Sequence, residues 1–407
     1  MFPPVTVPSS KNSSSNDTPG ERAGHRPFRL PANLCRMKHF FSHCAISPLP
    51  ETGRLAGQRM LDDQAAFGML HFMEHYPAQQ AAFKQTFATL LRVSPDDIAM
   101  VRNTSEALSM VANGYPFQPG DEIVSFVHEY PANHYPWRLQ EQRGVRLRLV
   151  ANRPWEHPDT QALPGYFTLD DVEALLTDRT RVVALSHVQF TSGFATDLRA
   201  LGDRCRQRGI DLVVDAAQSM GCLPLHPEEM GISAVAAAGW KWLLGPFGTG
   251  VFYTAPSFRD KLSTVLVGAE TMQQGMEYLD HRWTPHTSAK RFEYSSLPLS
   301  LMAALQEGVR HVHLPSDPET TRDKVLLLQD TFLAALRNDR IQPLRFAQPN
   351  RSGILALSCP DPPGLVRFLA DKGMYATARN GFVRIAPFLG NTIEEMEDLA
   401  AAVNDYD

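Results

Sequence analysis

Apolar residues follow two alternating patterns along most of the chain. The segments "RLAGQRMLDDQAAFGMLHFMEHY" (54–76) and "PAQQAAFKQTFATLLRVS" (77–94) have the periodicity of amphipathic helices. Between helical segments lie short apolar runs of the kind that form strands buried on both faces. These runs are "DIAMVRN", "DEIVSFVHEY", "RLRLVANR", "RVVALSHVQF", "DLVVDAAQ", "AVAAAGW", "TGVFYTA" and "RSGILALSC". The alternation predicts an α/β fold with a mostly parallel sheet covered by helices, and a ligand site at the carboxyl ends of its strands.

The pattern changes at about residue 300. Two long helical segments follow, at 297–313 and at 316–339, the second with Ser316 as a candidate cap. A strand at 381–388 and a terminal helix capped by Thr392 complete the chain. We therefore expect a smaller C-terminal α/β domain.

The domain boundaries follow from these changes. The large domain is predicted over 56–300 and the small one over 301–407. Residues 1–36 are rich in Ser, Asn, Pro and Gly and contain few apolar residues, which predicts a disordered or arm-like tail. An N-terminal segment at 37–55 joins the tail to the large domain.

Composition and charge narrow the class of protein. The net charge of −5 is spread over 407 residues without a basic block, so a nucleic-acid partner is not expected. Five scattered cysteines favour free thiols in a reducing compartment. No apolar run reaches bilayer length, and the N-terminus lacks the pattern of a secretory signal. We expect a soluble, cytoplasmic protein that acts without a membrane.

Two predicted strand ends carry polar residues with more than one interpretation. In "RNTSEAL", Asn103, Thr104 and Ser105 lie where a strand leads into a helix, and they either cap that helix or bind a phosphate there. In "DLVVDAAQSMG", Asp215 follows four residues of a buried strand. A buried carboxylate needs a partner. Asp215 either caps the next helix or binds a cation such as a protonated pyridine.

A third strand end carries a lysine among tryptophans. Lys241, in "GWKWLLGPFGTG", lies 26 residues after Asp215, enough for one helix and one strand. An apolar setting lowers the pKa of a lysine, and a neutral amine can form a Schiff base. A lysine stem packed on tryptophan is the structural alternative. Together the three strand ends supply the parts of a site for pyridoxal 5′-phosphate (PLP).

Seven motifs in this order resemble one family. They are "NTSEAL", "EYPANHYPW", "SHVQFTSG", "VVDAAQSMG", "GWKWLLGPFGTG", "RFEYSS" and "VRIAPFLGNT". From about residue 40 to its end, the chain resembles the class V aminotransferase-like group of fold type I PLP enzymes, which includes cysteine desulfurases and isopenicillin N epimerase. "EYPANHYPW" and "GWKW" are closer to the epimerase-like branch, which indicates specialised metabolism.

The resemblance implies roles in cofactor binding. Lys241 would carry the cofactor as a Schiff base and shuttle protons. Asp215 would bind the pyridine nitrogen, and Gln218 the ring hydroxyl. Thr104 and Ser105 would hold the phosphate.

The resemblance also places residues around the cofactor and the substrate. Tyr130 would stack on the ring, and Arg384 would bind a substrate carboxylate through its bidentate fork. Ser296 would reach the phosphate of the neighbouring subunit, which implies a homodimer with shared active sites. His187 lines the site or is a buried structural histidine, and His43 approaches it from the N-terminal segment.

Three departures from the family pattern affect the chemistry. Relatives often have polar phosphate ligands where this chain has Ala238 and Trp240, although the indole N–H remains a donor. Phe190 lies near the place of a usual asparagine. The segment "DKGMYATARNG" lacks the nucleophilic cysteine of desulfurases, and Cys359 is predicted in a buried strand.

These residues predict a PLP-dependent enzyme that acts on an α-amino acid or a derived metabolite by forming a carbanion at Cα. Transamination is the leading expectation, followed by β-elimination of the C–S lyase kind and then epimerisation. A non-catalytic binding protein of this fold would have no need of Lys241, Asp215 and Arg384. A dinucleotide-dependent oxidoreductase would need a GxGxxG turn, which is absent from the sequence.

Overall fold

The computed structural model describes residues 37–155 and 163–406, and the tail predicted at 1–36 lies outside them. The helices of the described residues are α1 (Glu51–Phe67), α2 (Met69–Leu91), α3 (Thr104–Gly114), α4 (Tyr135–Arg138), α5 (Leu169–Glu173), α6 (Leu198–Gln207), α7 (Pro256–Arg259), α8 (Leu299–Val312), α9 (Pro318–Ala335), α10 (Pro362–Asp371) and α11 (Ile393–Asn404). Within the described ranges, each helix is too short or too polar to cross a membrane.

The strands form two sheets. They are β1 (Ile98–Val101), β2 (Glu122–Phe126), β3 (Arg146–Val150), β4 (Thr180–Ser186), β5 (Asp211–Asp215), β6 (Ala234–Ala238), β7 (Gly250–Thr254), β8 (Gln342–Pro343), β9 (Leu355–Ser358), β10 (Thr377–Arg379) and β11 (Phe382–Ile385). The seven-stranded sheet has the order β1-β7-β6-β5-β4-β2-β3, and the four-stranded sheet the order β10-β11-β9-β8.

The seven-stranded sheet is mostly parallel, which confirms the predicted fold class. β3, β2, β4, β5 and β6 run in one direction, and β7 is antiparallel to both of its neighbours, β6 and β1. Alternate residues of one strand serve opposite faces. In β4, Val183 and Leu185 belong to one apolar cluster, whereas Val182 and Ala184 belong to another on the opposite face. Burial on both faces explains the continuous apolar runs.

The four-stranded sheet is antiparallel and lies within the predicted small domain. The N-terminal segment reaches it: Phe41 donates its N–H to the Tyr375 carbonyl at 2.8 Å and accepts the Ala386 N–H at 2.8 Å. A third apolar cluster packs β9 and β11 against α9, α10 and α11. The division of the chain at residue 300 stays a prediction.

Three helix ends can be compared with the predictions. The first two helices separate at Gly68, whose φ of +52° suits glycine, while Pro77 lies inside α2. Asp317 caps α9, so the predicted cap Ser316 is wrong by one residue. The prediction for α11 is confirmed, because Thr392 and Glu395 form a capping box.

Candidate active site

A cavity of about 390 Å³ opens at the carboxyl edge of the seven-stranded sheet. Its volume is in the range of small-molecule sites. The residues that line the cavity lie at or just beyond the ends of β1, β2, β4, β5 and β6. The sheet therefore brings segments that are distant in the sequence to one place. They are Asn103, Thr104, Ser105, Tyr130, Ala132, Ser186, Val188, Phe190, Asp215, Ala217, Gln218, Ala238, Trp240 and Lys241.

The start of α3 forms one wall of the cavity. Asn103 caps the helix, because its side-chain oxygen accepts the Glu106 N–H at 2.9 Å. The capping and ligand-binding interpretations of this motif are therefore compatible. Thr104 is 5% exposed, and its hydroxyl has no hydrogen-bond partner among the described residues. A buried unpaired hydroxyl beside the free N–H groups of a helix start is suited to an anion.

Asp215 ends β5 and is 5% exposed. Its Oδ1 accepts the Ala217 N–H at 2.9 Å. Burial raises the pKa of Asp215, and the Ala217 hydrogen bond and the charge of Lys241 oppose that increase. Within the described ranges no cationic side chain lies at ion-pair distance from the carboxyl, although the charge of Lys241 acts on it from further away. A protonated nitrogen in the cavity would supply the missing cation.

Lys241 lies on a loop that is folded tightly after β6. A Cβ at Gly239 would be 2.3 Å from Thr249 Oγ1, so only glycine permits this approach. The loop is closed by the Gly239 N–H to Thr249 carbonyl bond of 2.8 Å and by the Gly245 N–H to Gly239 carbonyl bond of 2.7 Å. These contacts fix the backbone on either side of the lysine.

The Lys241 amine is recessed in an apolar and aromatic setting. Its Nζ lies 5.5 Å from the ring centroid of Tyr130. Burial lowers the pKa of Lys241, and the nearby charge of Arg384 adds to that effect, whereas the charge of Asp215 opposes it. The amine is therefore more readily neutral, and so more nucleophilic, than a surface lysine.

Trp240 and Gln218 complete the wall near the lysine. The Trp240 ring packs on Phe247 with centroids 5.2 Å apart. The Gln218 side chain donates to the Cys44 carbonyl at 2.9 Å and accepts the Trp242 indole N–H at 3.0 Å. Its amide is thus held in place, with one N–H left for a ligand.

The buried guanidinium of Arg384 has no carboxylate partner in the part of the chain that the structure describes. It is 2% exposed, donates to the Phe190 carbonyl at 2.7 Å and to Thr377 Oγ1 at 3.1 Å, and its Nε is unpaired within the described structure. It lies on β11, so the four-stranded sheet brings it towards the cavity. A buried guanidinium that lacks a carboxylate is poised to receive one from a ligand.

The three remaining predicted site residues do not line the cavity. They are His187, His43 and Ser296. Burial lowers the pKa of His187 to about 4, and its Nδ1 is unpaired within the described structure, but it is not in the cavity wall. His43 bonds Ser47 through Nδ1 at 2.9 Å and stacks on Trp242. Ser296 is exposed and is not among the residues that line the cavity of its own chain.

Sequence analysis missed Glu129, a buried carboxyl behind the cavity. Its oxygens accept hydrogen bonds from the Ser186 N–H and hydroxyl, from Gln189 and from Asn133. Burial raises the pKa of Glu129 to about 7; the bonds from Ser186 and Gln189 oppose that increase and the charge of Asp215 adds to it. A carboxylate three residues beyond the end of the buried strand β2 was the available signal, comparable to Asp215 at the end of β5.

The residues present fit PLP. Thr104 offers an unpaired hydroxyl at a helix start, Asp215 a buried carboxyl, and Lys241 an amine of lowered pKa, all on the wall of one cavity. They match the cofactor's phosphate, pyridine nitrogen and aldehyde respectively.

Comparison with known proteins agrees with this fit. A probable cysteine desulfurase of Methanothermobacter thermautotrophicus is 31% identical over 189 residues, which are 46% of this chain and 45% of that protein. Isopenicillin N epimerase of Streptomyces clavuligerus is 30% identical over 223 residues, 54% of each chain. The alignments thus span about half the length of these relatives.

A solved structure and a family model match longer parts of the chain than these relatives do. The cystine C-S lyase C-DES in complex with cysteine persulfide has a TM-score of 0.81 and 20% identity, covering 91% of this chain and 98% of that chain, which shows the fold. The model of the aminotransferase class-V family matches residues 55–362. The chain therefore belongs to the aminotransferase class-V family of PLP-dependent enzymes.

Proposed function

We propose that this protein is an aminotransferase that acts on an α-amino acid or a derivative with a free carboxylate. The observation that carries the proposal is the combination of the half-buried amine of Lys241 with the nearby charge of Arg384, whose Nε has no hydrogen-bond partner within the described residues. When bound, PLP accepts the electron pair that remains at the substrate's α-carbon after a proton is lost.

The roles of the residues follow from their positions. Arg384 binds the substrate carboxylate and so orients the α-carbon. Lys241, as a neutral amine, would remove the proton from the substrate's α-carbon and donate it, on the same face, to the carbon derived from the cofactor's aldehyde, as transamination requires. Asp215 keeps a protonated pyridine nitrogen charged, and Thr104 with Ser105 anchors the phosphate at the start of α3. Tyr130, on the cavity wall near Lys241, covers one face of the ring.

The cavity wall gives less support to the alternatives. Epimerisation needs a second proton donor on the opposite face. Besides Asp215 and Lys241, the described wall residues offer only Tyr130 for this role, and Tyr130 covers the ring in this proposal. Persulfide chemistry needs a reactive thiol, but burial raises the pKa of Cys359 to about 11. Direct β-elimination of a sulfur substituent needs no thiol, and relatives named cysteine desulfurase support it as the second candidate.

The deciding experiment is a panel of amino acids tested with the holoenzyme. A 2-oxo acid formed together with pyridoxamine phosphate supports transamination. Pyruvate and sulfide from cysteine or cystine would instead establish β-elimination, and exchange of the α-hydrogen with inversion would establish epimerisation. Purified protein that fails to develop the visible band of bound PLP after PLP is added would contradict all three.

We further propose a homodimer with shared sites. Apolar side chains are exposed around the end of α1 and the start of α2, such as Met69 at 78%, and again at Leu279, at 94%. Such patches are typical of subunit interfaces. Ser296 is exposed and does not line the cavity of its own chain, so it is available to the neighbouring phosphate site. Sedimentation should show a dimer; a catalytically active monomer would contradict this assignment.

A further inference from the structure

Away from the cavity, two helices bring three metal-ligating side chains together. Asp63 lies in α1, and His71 and His75 lie in α2. One ligand atom of each side chain lies within 4.8 Å of the other two. The two histidines are one helical turn apart and so share a face, with ring centroids separated by 4.6 Å.

His71 independently indicates a ligand. Its side chain is 3% exposed, and neither ring nitrogen has a hydrogen-bond partner within the described part of the chain. Buried polar groups are nearly always paired, so an imidazole with two unpaired nitrogens is missing a partner. Asp63 and His75 are partly exposed in the single chain, so the chain itself does not enclose the cluster.

We propose that Asp63, His71 and His75 bind a divalent transition-metal cation, Zn²⁺ foremost. Two imidazoles and a carboxylate are typical zinc ligands, whereas Mg²⁺ and Ca²⁺ prefer sites made of oxygen atoms. Around tetrahedral zinc, with bonds of ~2.0–2.2 Å, ligand atoms are roughly 3.3–3.6 Å apart. Side-chain rotations of the partly exposed Asp63 and His75 bring the cluster to that spacing.

The bound metal has a structural role. It joins α1 to α2 across Gly68, whose φ of +52° sets the turn between them. None of the three ligands lines the cavity, so the metal site does not rest on the proposed reaction. Three protein ligands leave the fourth position for water.

The test uses the holoenzyme, Zn²⁺ and a double variant. Wild-type protein is incubated with Zn²⁺, gel-filtered and analysed for metal. We expect about one zinc per protomer and a thermal midpoint raised by a few degrees, reversed by a chelator. Asp63→Asn/His75→Gln should lose both effects while keeping the visible band of PLP and its activity. Co²⁺ should give the intense visible bands of four-coordinate cobalt in wild type alone.

A matched control separates this site from adventitious binding. Asp62→Asn/His281→Ala removes an exposed carboxylate and an exposed histidine outside the cluster, and it should bind zinc like wild type. The single variants Asp63→Asn and His75→Gln, each expected to weaken zinc binding at least 10-fold, replace the double variant if it fails to fold. Zinc retained equally by wild type and the cluster variants, or zinc that leaves only when PLP is removed, would overturn the proposal.

Discussion

Two buried groups of charges in this protein differ in how completely they are satisfied. Arg259, 5% exposed, donates to Asp97 at 2.8 Å, to the Thr287 carbonyl at 2.8 Å and to the Thr254 carbonyl at 2.9 Å. At the cavity, Lys241 and Asp215 each have a pKa shifted towards the neutral form by burial. The charges of Arg259 and Asp97 are compensated within the protein. Those of Lys241 and Asp215 are not fully compensated without a ligand.

This difference in compensation distinguishes a buried charge that stabilises the fold from one that serves a ligand site. Burying a charge is unfavourable unless hydrogen bonds and an opposite charge compensate. Around Arg259 the compensation comes from the chain itself. Around Lys241 and Asp215 it is left for a ligand, which is the arrangement expected of a functional site. Residue type alone would not distinguish the two groups.

The largest expected effect comes from Lys241→Ala. Loss of the base should reduce turnover by about 10⁴-fold or more, because the described residues place no other amine on the cavity wall. The thermal midpoint without cofactor should not fall, since the variant removes an amine that is unfavourable to bury. Steady-state kinetics and a thermal melt measure the two effects. Turnover within tenfold of wild type would remove Lys241 from its assigned role.

The reverse outcome is expected for Arg259→Ala. Removing one partner of a buried pair leaves Asp97 uncompensated and should lower the free energy of unfolding by about 3–5 kcal/mol. Turnover per folded molecule should stay near wild type at a temperature where the variant is folded. Arg282→Ala, which breaks an exposed pair with Asp280, is the control and should leave the melt unchanged. A large loss of turnover in folded Arg259→Ala would contradict a purely structural role for Arg259.

Most of the large sheet was predictable because its strands are buried on both faces and are therefore continuously apolar. The helix boundary at Gly68 was harder. Pro77 is the stronger breaker by propensity, yet α2 accommodates it, and the turn forms where glycine permits a positive φ. Gly68 and Pro77 are both plausible helix boundaries by sequence. Tertiary packing determines which of them ends the helix, and a local sequence pattern does not contain that information.

The site was predictable where a polar residue lies at or just beyond the end of a buried strand, as Asp215 does at the end of β5 and Lys241 does three residues after β6. Glu129 carries the same local signal, but its partners Ser186 and Gln189 are 57 and 60 residues away. The cluster of Asp63, His71 and His75 depends on the angle between two helices. Such sets come from tertiary geometry, which the order of residues in the chain does not reveal.

Arg384 tests whether an unsatisfied cation is reserved for substrate. Arg384→Lys keeps the charge and loses the planar fork, so it should lower kcat/KM for a carboxylate substrate roughly 100-fold, about 2.7 kcal/mol. The loss should appear mainly in KM. Affinity for PLP, measured by titration of the visible band, should change little. An unchanged KM with weakened PLP binding would move Arg384 from the substrate to the cofactor.

The smallest expected effect concerns Glu129, which has hydrogen bonds but no cationic partner among the residues that the structure describes. Its pKa, raised from 4.5 to about 7, means that the folded state binds the proton more tightly than the unfolded state. Its contribution to stability is therefore present at low pH and is lost as pH rises towards 7.

Glu129→Gln, which does not titrate, should lack this contribution. Unfolding free energies of wild type and variant should diverge by on the order of 2 kcal/mol between pH 5 and 7, with wild type losing more. Parallel curves would show that Glu129 is ionised in the folded protein throughout, and would place it with the compensated charges around Arg259.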